Sequence, residues 1–226
     1  MTLQKSKDLP VLKHNLLNTF SLALSKNYYK KIVTYDLILK QNCTSIMELP
    51  RLEKIVLNTS SKNYINDKKT LLVTLAALEL ISGQKPQLTY ARKSVANFKI
   101  RQHQILGCKV VLRENLMYAF LDRLSRIVLP HIRDYTTKQN FTQENQKISS
   151  REKHTKKSTR FIACSFGLKN LMIFPELENH FELVENFRGM NFTFVFSHFR
   201  EKDSENFTNK FTNLRLLLSG FQIPIH

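Results

Sequence analysis

Apolar residues recur along the chain at two kinds of spacing, and each kind predicts a different element. Spacings of three and four predict helices near residues 28–39, 68–82, 114–129 and 204–220. Alternation with a period of two predicts strands in the segments 51–60, 84–113, 161–165 and 190–197. Helices and strands are mixed without regular β-α-β alternation. This order predicts an α+β fold with a mostly antiparallel sheet.

Two stretches fall outside this pattern. Residues 1–26 begin polar and basic and then carry Leu12, Leu16, Phe20 and Leu24 at spacing four. We interpret them as an N-terminal extension, either a docking helix or an import signal, although Asp8 and Pro10 argue mildly against import. Residues 136–160 are polar without periodicity and are expected to form an insertion in one domain that spans 27–226.

The predicted strands each have two different faces. In the strand at 51–60, Ile55 and Leu57 share an apolar face while Lys54 and Asn58 share the other. Asn58 could contact RNA or end the strand in a turn, and its spacing does not separate the two. In the strand at 190–197, Phe192, Phe194 and Phe196 share a face that could stack on bases, but three rings on one short strand favour a packed core.

Net charge narrows the class of partner. The chain has 35 Lys and Arg against 18 Asp and Glu, a formal net charge of +17. Such an excess of positive charge is costly by self-repulsion unless a polyanion neutralises it. No apolar stretch reaches the roughly 20 residues of a membrane span, so an anionic membrane is a weak candidate. Nucleic acid is therefore the expected partner, with no membrane. Cys43, Cys108 and Cys164 lack metal-ligand spacing, which predicts buried thiols in a reducing compartment.

The segment 84–113 carries the most specific charge signal. It contains seven basic residues and no acidic one: Lys85, Arg92, Lys93, Lys99, Arg101, Lys109 and Arg113. Solvated surfaces usually mix both signs, so we interpret the segment as an RNA-binding surface. Lys99 and Arg101 are predicted to share a strand face, with Arg92, Lys93 and Ser94 in the preceding loop.

Catalytic motifs are missing from the sequence. The seven histidines show no ligand spacing, there is no P-loop, GxSxG or GxGxxG, and Glu176 and Glu178 are typical of an ordinary acidic turn. A nuclease would need acidic metal ligands, and none are grouped convincingly. We therefore expect no enzyme, no cofactor and no metal. A free RNA-binding regulator or chaperone remains an alternative.

Several segments, in order, carry a resemblance to a known family. They are ISGQKPQLTYARKSVANFKIRQHQILGCKVVLR at 81–113, PRLEKIVLNTS at 50–60, MYAFLDRLSRIVLPHIRDY at 117–135, IFPELE at 173–178 and RGMNFTFVFS at 188–197. Together they resemble the large-subunit ribosomal protein five family, the universal 5S rRNA-binding protein of the central protuberance. The resemblance covers residues from Tyr28 to about Pro224.

The resemblance implies a fold and a set of partners. It implies helices packed on one face of the sheet, an opposite face that holds 5S rRNA, and a protruding basic loop that reaches P-site tRNA. Large-subunit rRNA, neighbouring large-subunit proteins and a small-subunit head protein are further implied partners. The matched RNA-binding positions are Asn58, Gln84, Lys85, Arg92, Lys93, Ser94, Lys99, Arg101, Gln102, Lys109, Arg113 and Arg133.

The chain also departs from the family pattern. Asn97 and His103 stand where the family usually has glycine, and we expect Asn97 to supply a positive φ that keeps the turn. A polar insertion replaces a Gly-rich hairpin after Tyr135, and residues 1–26 have no counterpart. This drift, with a composition rich in Asn, Lys, Phe and Ile, is typical of a mitochondrial member, located in the matrix on the mitochondrial ribosome.

Overall fold

One antiparallel sheet organises the computed structural model, which describes residues 25–41, 45–61, 63–132, 142–143, 161–180, 189–197 and 207–223. The strands of this described part are β1 (Arg51–Ser60), β2 (Gln87–Tyr90), β3 (Ile105–Leu112), β4 (Thr142–Gln143), β5 (Phe161–Leu168) and β6 (Met190–Ser197). Their order across the sheet is β2-β3-β1-β6-β5-β4, and every neighbouring pair is antiparallel. The predicted α+β fold is therefore confirmed.

The four longest helices lie where the apolar spacing predicts them, and two single-turn helices, Asn63–Asn66 and Pro175–Glu178, were not predicted. The helices are α1 (a π-helical turn Tyr29–Val33 followed by Thr34–Gln41), α2 (Asn63–Asn66), α3 (Lys68–Ser82), α4 (Glu114–Arg123, continued through Leu124–Val128 and Leu129–His131), α5 (Pro175–Glu178) and α6 (Phe207–Gly220). Gly83 ends α3 with φ +68°, and its N–H donates to the Glu79 carbonyl at 2.8 Å. The predicted cap of α6 near residue 204 lies outside the described residues.

The core lies on one face of the sheet. Phe192, Phe194 and Phe196 of β6 are at most 1% exposed, and the Phe192 ring stacks on Phe166 of β5 and on Phe120 of α4. Helices α1, α3, α4 and α6 contribute to the same buried cluster. The prediction of a packed core face, rather than a base-stacking platform, is confirmed.

Two cysteines lie inside this core. Cys108 and Cys164 are free and buried, and burial raises the pKa of each thiol to about 11. Both are small buried groups as predicted, while Cys43 lies outside the described residues. Among the helices of the described part, none is long and apolar enough to cross a membrane.

The polar segment 136–160 contains an element that its composition does not predict. Thr142 pairs with Ser165 and Gln143 with Cys164, so this short strand forms one edge of the sheet. For these two residues the expectation of an insertion without structure is wrong, because backbone pairing with β5 does not require an apolar pattern. The rest of 136–160 lies outside the described residues, as do residues 1–24.

Candidate nucleic-acid interface

The face of the sheet opposite the core presents a transverse row of polar side chains, which we call the polar row: Gln87, Lys109, Asn58 and Asn191. Asn58 is paired with Lys109 on one side and Asn191 on the other, and Lys109 is paired in turn with Gln87. The strand spacing of about 4.8 Å makes the row roughly 14 Å long. Its four members come from four neighbouring strands, so the row exists only in the assembled sheet.

Asn58 lies inside β1 rather than at a strand end. The strand continues to Ser60, and the Asn58 side chain is half-buried on the face away from the core. The alternative of a strand-end turn residue is therefore wrong. A side chain in this position can donate and accept hydrogen bonds across the sheet surface.

Asn191 is a candidate that the sequence interpretation missed. It precedes Phe192 and lies on the face of β6 opposite the three buried phenylalanines. Asn191 is exposed, and its Oδ1 lies 2.9 Å from the position that a Cβ on Gly167 would occupy. The side chain therefore lies across the neighbouring strand β5. The signal was available in the sequence, because residues that alternate with a buried Phe face must point the other way.

Further basic side chains surround the polar row. Lys54 lies on the same face of β1, and Arg113 is exposed directly after β3. Lys85 is exposed in the turn between α3 and β2, and the hydroxyl of Ser82 holds this turn by bonding both the N–H and the carbonyl of Gln84 at 3.2 and 3.0 Å. These two hydrogen bonds fix the direction of the chain at Gln84 and Lys85, directly after α3.

Between β2 and β3, residues 91–104 form a loop that we call the basic loop. Its base is closed by two bonds to Ala91, from the Ala91 N–H to the Gln104 carbonyl at 2.8 Å and from the His103 N–H to the Ala91 carbonyl at 2.9 Å. Val95 and Ile100 exchange two further backbone bonds near the tip. The loop is thus held by its own hydrogen bonds while its residues 92–99 stay exposed.

Two polar side chains brace the basic loop internally. The Ser94 hydroxyl accepts from the Gln102 N–H at 2.9 Å, and the Gln104 side-chain oxygen accepts from the Arg101 N–H at 3.0 Å. Ser94 therefore has a structural contact that the sequence did not predict. Arg92, Lys93 and Arg101 remain exposed around this framework.

The sequence interpretation of Lys99 and Arg101 is wrong in one respect. Neither lies on a strand, because Lys99 ends a 3₁₀ turn with φ +56° and only Ile100 between them makes a β-bridge. Their side chains belong to the basic loop together with Arg92 and Lys93. The positive φ expected at Asn97 occurs instead at Lys99 and, with φ +62°, at His103.

The basic side chains of this surface are not neutralised from within. In the described part of the chain, the seven basic residues of 84–113 have no carboxylate within the 4.0 Å of an ion pair. An anion from outside can therefore meet them without displacing a partner.

Arg133, the remaining predicted RNA contact, lies outside the described residues. The described residues also contain no group of three His, Cys, Asp or Glu that could hold a metal ion.

Comparison with known proteins agrees with this architecture. The family model described as "Ribosomal protein L5" matches residues 45–101, and a second model, described as the C-terminus of the same ribosomal family, matches residues 105–225. Strands from both matched regions form the one sheet, because β1 of the first region lies between β3 and β6 of the second.

Individual relatives extend the match over most of the chain. Large ribosomal subunit protein uL5m of Prototheca wickerhamii is 41% identical over 88% of this chain and 82% of its own length. The uL5m of Reclinomonas americana is 35% identical over 89% and 97%, and the bacterial uL5 of Clostridium acetobutylicum is 39% identical over 75% and 85%. The chain belongs to the ribosomal protein L5 family, and it is a non-enzymatic structural constituent of the large ribosomal subunit.

Proposed function

We propose that the open face of the sheet holds 5S rRNA in the central protuberance, and that the basic loop reaches P-site tRNA. One observation carries this proposal. The face of the sheet away from the core presents the polar row, and basic side chains without an ion-pair partner among the described residues lie around it. Neighbouring large-subunit rRNA and proteins, and a small-subunit head protein, are the remaining partners that we propose.

The chemistry of the polar row suits an RNA helix. The wide, shallow minor groove of A-form RNA exposes 2′-hydroxyls and base edges, which both donate and accept hydrogen bonds. The side-chain amides of Asn58, Asn191 and Gln87 can likewise donate and accept hydrogen bonds. Lys109 adds a cation for the adjacent phosphates. Arg113, Lys54 and Lys85 extend the positive surface around this row, and Gln84 adds a neutral amide beside Lys85.

The basic loop suits a separate target. It is fixed by backbone bonds to Ala91 and by Ser94 and Gln104, so its exposed cations are presented without a large ordering cost. It also connects directly to β2 and β3, at the edge of the sheet. An RNA bound on the sheet face therefore leaves the loop free to contact a second RNA.

The experiment compares the two surfaces by their charge. Lys54→Glu with Lys109→Glu should weaken 5S rRNA binding by at least tenfold, and should lower the log–log salt slope by roughly 1.4–1.8 if each lysine meets one phosphate. Arg92→Ala with Lys93→Ala and Lys99→Ala should leave 5S affinity within about twofold while it impairs translation by assembled ribosomes.

Lys68→Glu with Lys69→Glu provides the matched control. Both residues are exposed at the start of α3, and this change alters net charge by the same four units as the sheet-face variant. The control should change 5S affinity far less. Equal weakening by all three variants would show that the charge acts non-specifically and would contradict the assignment of the two surfaces.

We also propose that the chain works in the mitochondrial ribosome. Two of the relatives described above are mitochondrial and the third is bacterial, and the composition is typical of AT-rich organellar genes. When lysates of mitochondria and of cytosol are sedimented separately in high salt, the protein should co-migrate with the large subunits of the mitochondrial ribosome. Recovery with cytosolic subunits instead would reject this location.

A further inference from the structure

Helix α1 carries two apolar stripes, and only one of them faces the core. Tyr29, Val33 and Leu37 are buried, with exposed fractions of 7%, 2% and 1%. The second stripe, which we call the outer face of α1, is exposed by 39%, 54%, 65% and 78% at Tyr28, Ile32, Tyr35 and Leu39. Residues 25–28 are helical as well, so spacings of four, three and four align these side chains.

We propose that the outer face of α1 docks a second ribosomal protein, through a segment that presents apolar side chains flanked by carboxylates. Single exposed apolar residues are ordinary, but a continuous stripe of four on one helix is typical of a protein-binding surface. This inference rests on the proposed place of the chain among neighbouring ribosomal proteins, and it adds the surface and the chemistry of one such contact. It does not depend on the proposed contacts with 5S rRNA and tRNA.

The charge of α1 indicates an acidic partner. Lys30 and Lys31 are exposed and have no carboxylate partner among the described residues. The acidic residue of this helix, Asp36, is already paired with Lys40 at 2.7 Å. The helix therefore has a net charge of +2 beside its apolar stripe, and carboxylates at the margin of a partner would complement it.

RNA would match the lysines of α1 but not the stripe. The rings of Tyr28 and Tyr35 could stack on bases, but Ile32 and Leu39 alternate with them and offer no polar group to a nucleotide. Covering these aliphatic side chains with an apolar surface removes them from water, whereas a phosphate backbone leaves them hydrated. A protein segment therefore fits the whole surface better.

Two other occupants fit less well. Residues 1–24 also carry an apolar stripe, but Lys5, Lys7 and Lys13 outnumber Asp8, so they would repel Lys30 and Lys31. No glycine or proline occurs from residue 11 to 33 to turn the chain back onto α1. A second copy of this chain would bring the same two lysines against themselves. An acidic segment of another protein avoids both problems.

Site-specific cross-linking in the assembled particle tests the proposal. Full-length Cys43→Ser carrying Tyr35→Cys or Leu39→Cys is labelled with a benzophenone maleimide, incorporated into large subunits and irradiated; Cys108 and Cys164 are buried and protected from the label. Mass spectrometry should find cross-links to another ribosomal protein, in a peptide with Asp or Glu close to apolar residues. Glu79→Cys, at an exposed polar position of α3, should not yield this cross-link.

Several outcomes would overturn the proposal. They are cross-links mainly to rRNA, to residues 1–24 or to a second copy, and the absence of cross-links from variants that co-sediment with subunits. Tyr35 and Leu39 are more than half exposed, so their replacement should not disturb folding. If both variants stay out of subunits that Glu79→Cys enters, the label moves to Lys31→Cys beside the face and the same outcomes apply.

A charge reversal tests the acidic character of the partner. Lys30→Glu with Lys31→Glu should reduce the cross-link yield from Leu39→Cys about fivefold, since two exposed ion pairs would be lost. Lys30→Arg with Lys31→Arg keeps the charge and should keep the yield. An unchanged yield after charge reversal would reject a carboxylate-bearing partner.

Discussion

Gly107 is the residue at which β1 and β3 approach too closely for a side chain. A Cβ there would lie 2.1 Å from the Thr59 carbonyl oxygen and 2.9 Å from the Ser60 Cα. Gly107→Ala must therefore separate two paired backbones, and we expect it to lower the free energy of unfolding by about 1–3 kcal/mol. Gly167→Ala is the control, because its Cβ would meet the movable side chain of Asn191, and it should cost less in urea denaturation. Equal costs would contradict the backbone contact.

Burial of the Cys108 thiol predicts that the stability of the fold depends on alkaline pH. Burial raises the pKa of its thiol to about 11, from about 9 in an exposed chain. Between these values the unfolded chain releases the proton and the folded chain keeps it, so the stability from the neutral thiol is complete below pH 9 and is lost as pH rises towards 11. The stability advantage over Cys108→Ala should therefore shrink by roughly 2–3 kcal/mol over that range. Urea denaturation at pH 8 and pH 11 measures it, and a constant difference would contradict the buried thiol.

At the scale of elements, the basic loop depends on two side chains that its sequence does not distinguish from RNA ligands. Ser94→Ala removes the acceptor of the Gln102 N–H, and a hydrogen bond of this kind is worth about 1 kcal/mol. The Gln102 amide should then exchange with solvent about fivefold faster, while amides of β3 keep their protection. Ser94→Thr retains the hydroxyl and should behave as the original protein. Faster exchange throughout β3 would show that the loop and the sheet are one cooperative unit.

Elements with one clear apolar face could be predicted from sequence, and the others could not. The stripe of α4 and the Phe face of β6 each point to one core, so period and burial agree. The prediction that Lys99 and Arg101 share a strand face was wrong because a spacing of two residues cannot distinguish a strand from a turn closed by a single β-bridge. Helix α1 hid its outer face because both of its stripes are apolar, and only the fold shows which one is buried.

At the scale of the whole molecule, the site is predictable in composition and not in arrangement. The absence of acidic residues from 84 to 113 is visible in the sequence, and it identifies the basic surface. The polar row is not visible, because Gln87, Asn58 and Asn191 are far apart along the chain. Their alignment depends on β1 lying between β3 and β6, an order set by long-range pairing that local patterns do not encode.

The net charge of +17 predicts that salt acts in opposite directions on the free protein and on its proposed complex with 5S rRNA. Raising the ionic strength from about 0.01 to 0.15 M shortens the screening length from about 30 to 8 Å, which weakens repulsion among the many cations. In the described part of the chain, the four ion pairs all have at least one partly exposed member, so their screening should cost little. The Tm of the free protein should therefore rise with salt, while the Tm with 5S rRNA should fall as binding weakens.

Scanning calorimetry with and without RNA separates the two slopes, and sucrose at equal osmolality controls for non-ionic solute effects. A Tm of the free protein that falls with salt would mean that attractive pairs, rather than the excess of cations, govern its electrostatics.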